Sequence, residues 1–195
     1  MGNSNNNNII IRFEEKLKNC KNMFKSLTNI KEINLSNLDT SKVNDMSYMF
    51  DGCTSLEKIN FGKIKTNLVE NMESLFHNCV KLESIDLSNF DTSSVINMQK
   101  LFTHCDSLKS LDVSNFETSK VENMFDMFGY CYSLTSLNIS NFDTSKVKTM
   151  QGMFIDLYNI VSLDVHLNTS SAKNMSYMFH NCCNLTSLDI SSFDT

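Results

Sequence analysis

The apolar positions of this chain fall into one unit written repeatedly. In Asn123 to Lys148, NMFDMFGYCYSLTSLNISNFDTSKVK, the residues Met124, Met127, Phe128 and Cys131 follow Val121 at steps of 3, 3, 1 and 3. That spacing is one face of an amphipathic helix. The step then changes, and Leu137 and Ile139 alternate with Ser136, Asn138 and Ser140, as in a short half-buried strand. Phe142 follows on the turn back. Let n be the second residue of the unit. It falls at Cys20, Met46, Met72, Met98, Met124, Met150 and Met175, in steps of 26 residues until the last, which is 25. Position n+4 is Phe in every copy, from Phe24 through Phe50, Phe76, Phe102, Phe128 and Phe154 to Phe179. Self-similarity at such a period marks a solenoid, a propeller or an array.

Each unit is expected to be one strand and one short helix. Thr118 and Ser119 precede the helical stretch, and Ser119 with Glu122 has capping-box spacing. Asp39, Asp91 and Asp143 recur at the same place, suited to accepting first-turn N–H groups. Consecutive strands joined through a helical crossover lie parallel. The expected fold is an α/β solenoid of strand–short helix units with a parallel sheet on one face, about 35 Å long at roughly 5 Å per strand. Residues 1–8 form a polar Asn-rich tail expected to be disordered. Residues 9–18 resemble half a unit and are expected to cap the stack, with a strand at Ile9 to Phe13. Residues 19–195 are seven tandem units, the last ending just after its strand. Two copies deviate: the second has Phe61-Gly62-Lys63-Ile64-Lys65, and the sixth, around Val165 to Asn168, is one residue short.

Composition narrows the function. The 195 residues carry a formal net charge of −5 and are 41% hydrophobic, as in ordinary globular proteins. No apolar run approaches the roughly 18 residues of a membrane span. Mild acidity, without clustered Lys and Arg, argues against nucleic acid. The N-terminus lacks the basic start and apolar core of a secretory signal, so the sequence as written reads as cytoplasmic. Gly2 invites myristoylation, but Asn6 stands where that motif wants Ser or Thr.

Little catalytic chemistry is visible. Five of the seven Cys lie at n+7 (Cys53, Cys79, Cys105, Cys131 and Cys182) on the apolar face, where a free thiol acts as a small hydrophobe. Leu27 and Leu157 replace Cys in the other copies, which suits packing and not bridging. Cys183 lies off this row. His77-Asn78-Cys79 and His180-Asn181-Cys182-Cys183 lack the paired spacings of zinc sites. Asn19, Asn71, Asn97, Asn123 and Asn174 recur at n−1 and are expected to satisfy turn or backbone groups. No nucleophile–base pair or phosphate-cradling glycine loop stands out. The chain is therefore read as no enzyme, with no cofactor and no metal.

The outward strand positions n+12, n+14 and n+16 are the candidate binding face. They include Ser84, Asp86 and Ser88 in the third unit, and Ser110, Asp112 and Ser114 in the fourth. Asn138 follows in the fifth, Asp164 and His166 in the sixth, and Asp189 in the seventh. The centre row is Asn or Asp throughout. Either a small polar residue suits a crowded parallel ladder, or the row offers a polar, mildly acidic surface to a partner. The last strand, at Ser187 to Ser191, has no following unit, so its edge is expected to self-associate or to continue in a longer array.

The string SNFDTSKV…NM..MF..C..L.SLD resembles the 26-residue repeat of BspA-like leucine-rich repeat surface proteins, abundant in mycoplasmas and found in some protists. The resemblance spans residues 19–195. It implies a leucine-rich-repeat-like solenoid, reduced thiols at n+7, no catalytic residues, and a cell-surface or adhesive role in many relatives. The expected function is a non-enzymatic protein-interaction or scaffold module. The alternatives are an adhesin binding host protein or glycan, and a protein whose activity lies in repeats or domains beyond these.

Overall fold

The computed structural model describes residues 16–194; the expected polar tail and the strand at Ile9 to Phe13 lie outside the described residues. Six three-residue strands are present among the described residues: β1 (Glu32–Asn34), β2 (Lys58–Asn60), β3 (Ser110–Asp112), β4 (Ser136–Asn138), β5 (Ser162–Asp164) and β6 (Ser187–Asp189). They pair in parallel as β1–β2, β3–β4 and β5–β6, with Ile33 opposite Ile59, Leu111 opposite Leu137 and Leu163 opposite Leu188. The expected single sheet is thus three pairs: Ser84–Asp86 of the third unit joins no strand, which separates β2 from β3, and β4 does not pair with β5.

The units are continuous elsewhere. One parallel ladder runs unbroken at n−1 through Asn19, Asp45, Asn71, Asn97, Asn123, Thr149 and Asn174. From this row the backbone turns repeatedly, and no helix forms among the described residues. The fourth unit shows why. The N–H groups of Met98, Lys100, Phe102 and His104 donate to the carbonyls of Asn123, Phe125, Met127 and Gly129 in the next unit, at 2.8–3.1 Å. The intervening N–H groups of Leu101, Thr103 and Cys105 return three residues, to Met98, Lys100 and Phe102. A helix would spend all of them four residues back along its own chain. Residues n+2 and n+6 have positive φ in every unit, for example Lys100 (54°) and His104 (59°). Each left-handed non-glycine residue costs roughly 1–2 kcal/mol. That cost is offset by hydrogen bonds that only a neighbouring unit supplies, so the units fold together.

The expected helix start is a turn as well. Ser119 makes no capping box with Glu122; its hydroxyl bonds Glu117, and Glu122 pairs with Lys148 of the next unit. Asp39, Asp91 and Asp143 each accept the N–H two residues on, from Ser41, Ser93 and Ser145. The buried threonines between them tie one unit to the next. Thr92 Oγ1 donates to the Glu117 carbonyl (2.9 Å) and accepts the Glu117 N–H (2.7 Å). Thr40 does the same with Lys65, and Thr66 with Asp91.

Side chains at n, n+3, n+4 and n+7 point inward in vertical rows, except that Leu27 at n+7 of the first unit is exposed. The phenylalanines stack from Phe24 to Phe179 with centroids 5.5–6.0 Å apart. The cysteines are free. Cys53, Cys79, Cys105 and Cys131 are fully buried, whereas Cys182, in the outermost described unit, is half-buried. Each thiol donates to the phenylalanine carbonyl of the preceding unit, as Cys105 does to Phe76 at 3.3 Å. Burial pushes these thiols up, Cys131 to about 12, which keeps them protonated and inert.

Candidate functional site: the outer strand row

Alternation along the strands sends Ile59, Leu111, Leu137 and Leu163 into the core and leaves both flanking residues exposed. All ten candidate residues are solvent-exposed: Ser84, Asp86, Ser88, Ser110, Asp112, Ser114, Asn138, Asp164, His166 and Asp189. Parallel register sets Asp112 opposite Asn138 and Asp164 opposite Asp189. Ser84, Asp86 and Ser88 lie in the unit without a strand, so the hydrogen-bonded row is interrupted there.

The centre row also closes the turn after each strand. Asp86 Oδ1 accepts the Ser88 N–H (3.0 Å) and hydroxyl (2.7 Å), and Asp112 accepts the Ser114 N–H (3.0 Å). Asn138 and Asp189 do likewise with Ser140 and Ser191, as do Asn34 and Asn60 with Ser36 and Gly62. Such side-chain turns explain why only Asn and Asp occupy this row. The serine bonds hold the Asp86, Asp112 and Asp189 carboxyls below their usual range, so they are ionised at neutral pH. Asp164 instead contacts His166 Nδ1. The n−1 asparagines act in the same way, each accepting the N–H of n+1.

One cluster does not show in the consensus. Lys25, Asp51 and His77 stand at n+5 in three successive units. Lys25 Nζ lies 2.8 Å from Asp51 and 4.7 Å over the Tyr48 ring, and His77 Nδ1 lies 2.7 Å from Asp51. Burial lowers the His77 pKa. Reading the n+5 column from copy to copy would have brought these three together.

Stacked units with short parallel strand pairs and inward leucine and phenylalanine rows define a leucine-rich-repeat-like solenoid. A leucine-rich repeat protein from Bacteroides ovatus ATCC 8483 is similar in structure, with a TM-score of 0.59 at 21% identity over 89% of this chain. The match covers 41% of that protein, so this chain spans well under two thirds of its length. A T. pallidum leucine-rich repeat protein matches with a TM-score of 0.41 at 21% identity, over 81% of this chain and 72% of that one. Among curated proteins, none matches the chain in sequence. The chain belongs to the family described as Mycoplasma protein of unknown function, DUF285, which matches residues 18–137 and 133–195. The resemblance to BspA-like leucine-rich repeat proteins is thereby borne out.

Proposed function

We propose that this chain is a non-enzymatic protein-interaction module whose outer strand row is the docking face. The observation that carries this reading is the row itself. Exposed hydroxyls and four centre-row carboxylates, Asp86, Asp112, Asp164 and Asp189, recur at one position of the unit, with Asp112 opposite Asn138 and Asp164 opposite Asp189 in parallel register, and paired strands step roughly 5 Å apart. Repeat solenoids bind through extended faces of this kind. A basic or donor-rich partner suits the face, and salt weakens the contact because exposed charges are screened. Replacing Asp86, Asp112 and Asp164 together with Lys is expected to abolish capture of partners that wild-type bait retains. The readout is affinity capture with mass spectrometry across a salt series, with the fold checked by circular dichroism. A folded variant that keeps the same partners with the same salt dependence would sink the proposal. The family resemblance favours a narrower version, a cell-surface adhesin taking host protein or glycan. Imaging a tagged chain in its native cell separates the two, since an internal location excludes the adhesin.

The outermost described unit supports self-association as well. The N–H groups of Met175, Tyr177, Phe179 and Asn181 have no partner among the described residues, although their equivalents in the six preceding units all donate to the next unit. Leu188 and Ile190 of the same unit are exposed. Another repeat unit, from a second copy or from a longer array, brings the matching carbonyls. Light scattering is expected to show a mass that rises with concentration, and one constant monomer mass would contradict this.

A further inference from the structure

On the turn side of the array, Asp126, Tyr130, Gly152, Asp156, Tyr177 and His180 line a cleft of about 330 Å³. Its origin is a missing side chain. Position n+2 carries Asn22, Tyr48, Ser74, Lys100, Asp126 and Tyr177 in the other units, and only Gly152 in the sixth. Backbone conformation does not demand this glycine, because those six residues hold the same positive φ, from 50° at Asp126 to 59° at Tyr177. What the glycine provides is room. A Cβ at Gly152 would fall 2.1 Å from Asp126 Oδ1, so the carboxylate of the fifth unit leans into the space.

A second carboxylate enters from the sixth unit. Asp156 is only 8% exposed, and its Oδ1 has no hydrogen-bond partner. An unmet buried acceptor of this kind is unfavourable, more so when charged. Among the described residues neither Asp126 nor Asp156 is in an ion pair. Lys100, whose charge acts on Asp126, instead lies over the Phe125 ring at 5.4 Å. Burial raises the Asp126 and Tyr130 pKa values, although the cleft as a whole is open to solvent.

The first and second units show what such a site takes. There Asp51 receives the Lys25 ammonium, which also sits over the Tyr48 ring. The cleft has the same parts in greater number, two carboxylates with the Tyr130 and Tyr177 rings, and no lysine of the chain fills it. Two acceptors with flanking rings fit the planar, multi-donor guanidinium better than the point charge of an ammonium. We propose that the cleft at Gly152 receives an arginine side chain of a partner protein, through Asp126 and Asp156 with Tyr177 packed over it. This site is separate from the strand row and does not rest on it.

The test is an NMR titration of the full chain with N-acetyl-arginine amide, and with its neutral isostere N-acetyl-citrulline amide. The arginine compound is expected to give saturable shifts at Gly152, Asp156 and Tyr177, and citrulline to bind about tenfold more weakly or less. Asp156→Asn, which keeps the shape, and Gly152→Ala, which displaces Asp126, are each expected to weaken arginine binding about tenfold. Asp51→Asn is expected to leave it unchanged. Amide spectra unaltered away from the cleft report that the variants are folded. Equal binding of citrulline or of a neutral methyl glycoside would overturn the proposal. So would undiminished arginine binding by Asp156→Asn, or the absence of saturable shifts up to tens of millimolar.

Discussion

Phe102→Ala is expected to lower the unfolding free energy by about 3–5 kcal/mol, measured by urea denaturation. Phe102 is fully buried and stacked between Phe76 (5.5 Å, 13°) and Phe128 (5.9 Å, 4°). Its own N–H and carbonyl are held as well, by the Met127 carbonyl and the Cys131 thiol. These ties hold the backbone around the lost ring in place, so collapse into the cavity is limited and the cost lies toward the upper end. In an array whose units contact only their neighbours, a central lesion also uncouples the two halves. The same substitution at half-buried Phe179 is expected to cost clearly less, since one side of that ring is less covered. Equal losses at the two positions would mean that the phenylalanine row is not a stack of equivalent contacts.

Gly62→Ala is expected to be the most damaging of the glycine substitutions in the first three units, costing at least about 1–3 kcal/mol of stability. Gly62 has φ +57°, and among the described residues it is the one with positive φ outside n+2 and n+6. A Cβ there would lie 2.6 Å from Ser36 Cα and 2.9 Å from Ser36 Cβ in the preceding unit. The nearer of these is backbone, which cannot step aside without shifting β1. Gly52→Ala is the control. Its φ is +73°, but the nearest atom to an added Cβ is the Ser26 hydroxyl at 3.3 Å. Position n+6 carries Ser, Asn, His, Tyr or Asp in the other units at similar φ. A small change at Gly52 beside a large one at Gly62, read as a difference in urea midpoints, is the expected pattern. The reverse order would contradict the packing of β2 on β1.

The 26-residue period, the inward rows and the exposed strand positions were legible because each depends only on side-chain alternation. The helix was misread for a physical reason. Steps of 3, 3, 1 and 3 bring the same side chains to one face in a helix and in a ladder of turns. What differs is where the N–H groups go, and hydrophobic spacing does not report that. Two signals pointed to turns. Isolated helices below roughly 12–15 residues are marginal, and the n+2 and n+6 columns hold Asn22, Asn78, Asn181, Asp126, Asp156, Gly52 and Gly152, which favour left-handed backbone. The threonine row was visible as Thr40, Thr66, Thr92, Thr118 and Thr144, but its task of joining units shows only once neighbours are stacked. The cleft at Gly152 was hidden more deeply. It is made of residues that depart from the consensus in three different copies, and a period search discards such residues.

Through-hydrogen-bond scalar couplings test the inter-unit ladder most directly, because they identify the acceptor of each amide. The ladder sets every unit in register, and both the strand row and the cleft depend on that register. The predicted correlations run from the nitrogens of Met98, Lys100, Phe102 and His104 to the carbonyl carbons of Asn123, Phe125, Met127 and Gly129. A correlation from the Phe102 nitrogen to the Met98 carbonyl carbon, four residues back in its own unit, would show a helix and contradict the ladder.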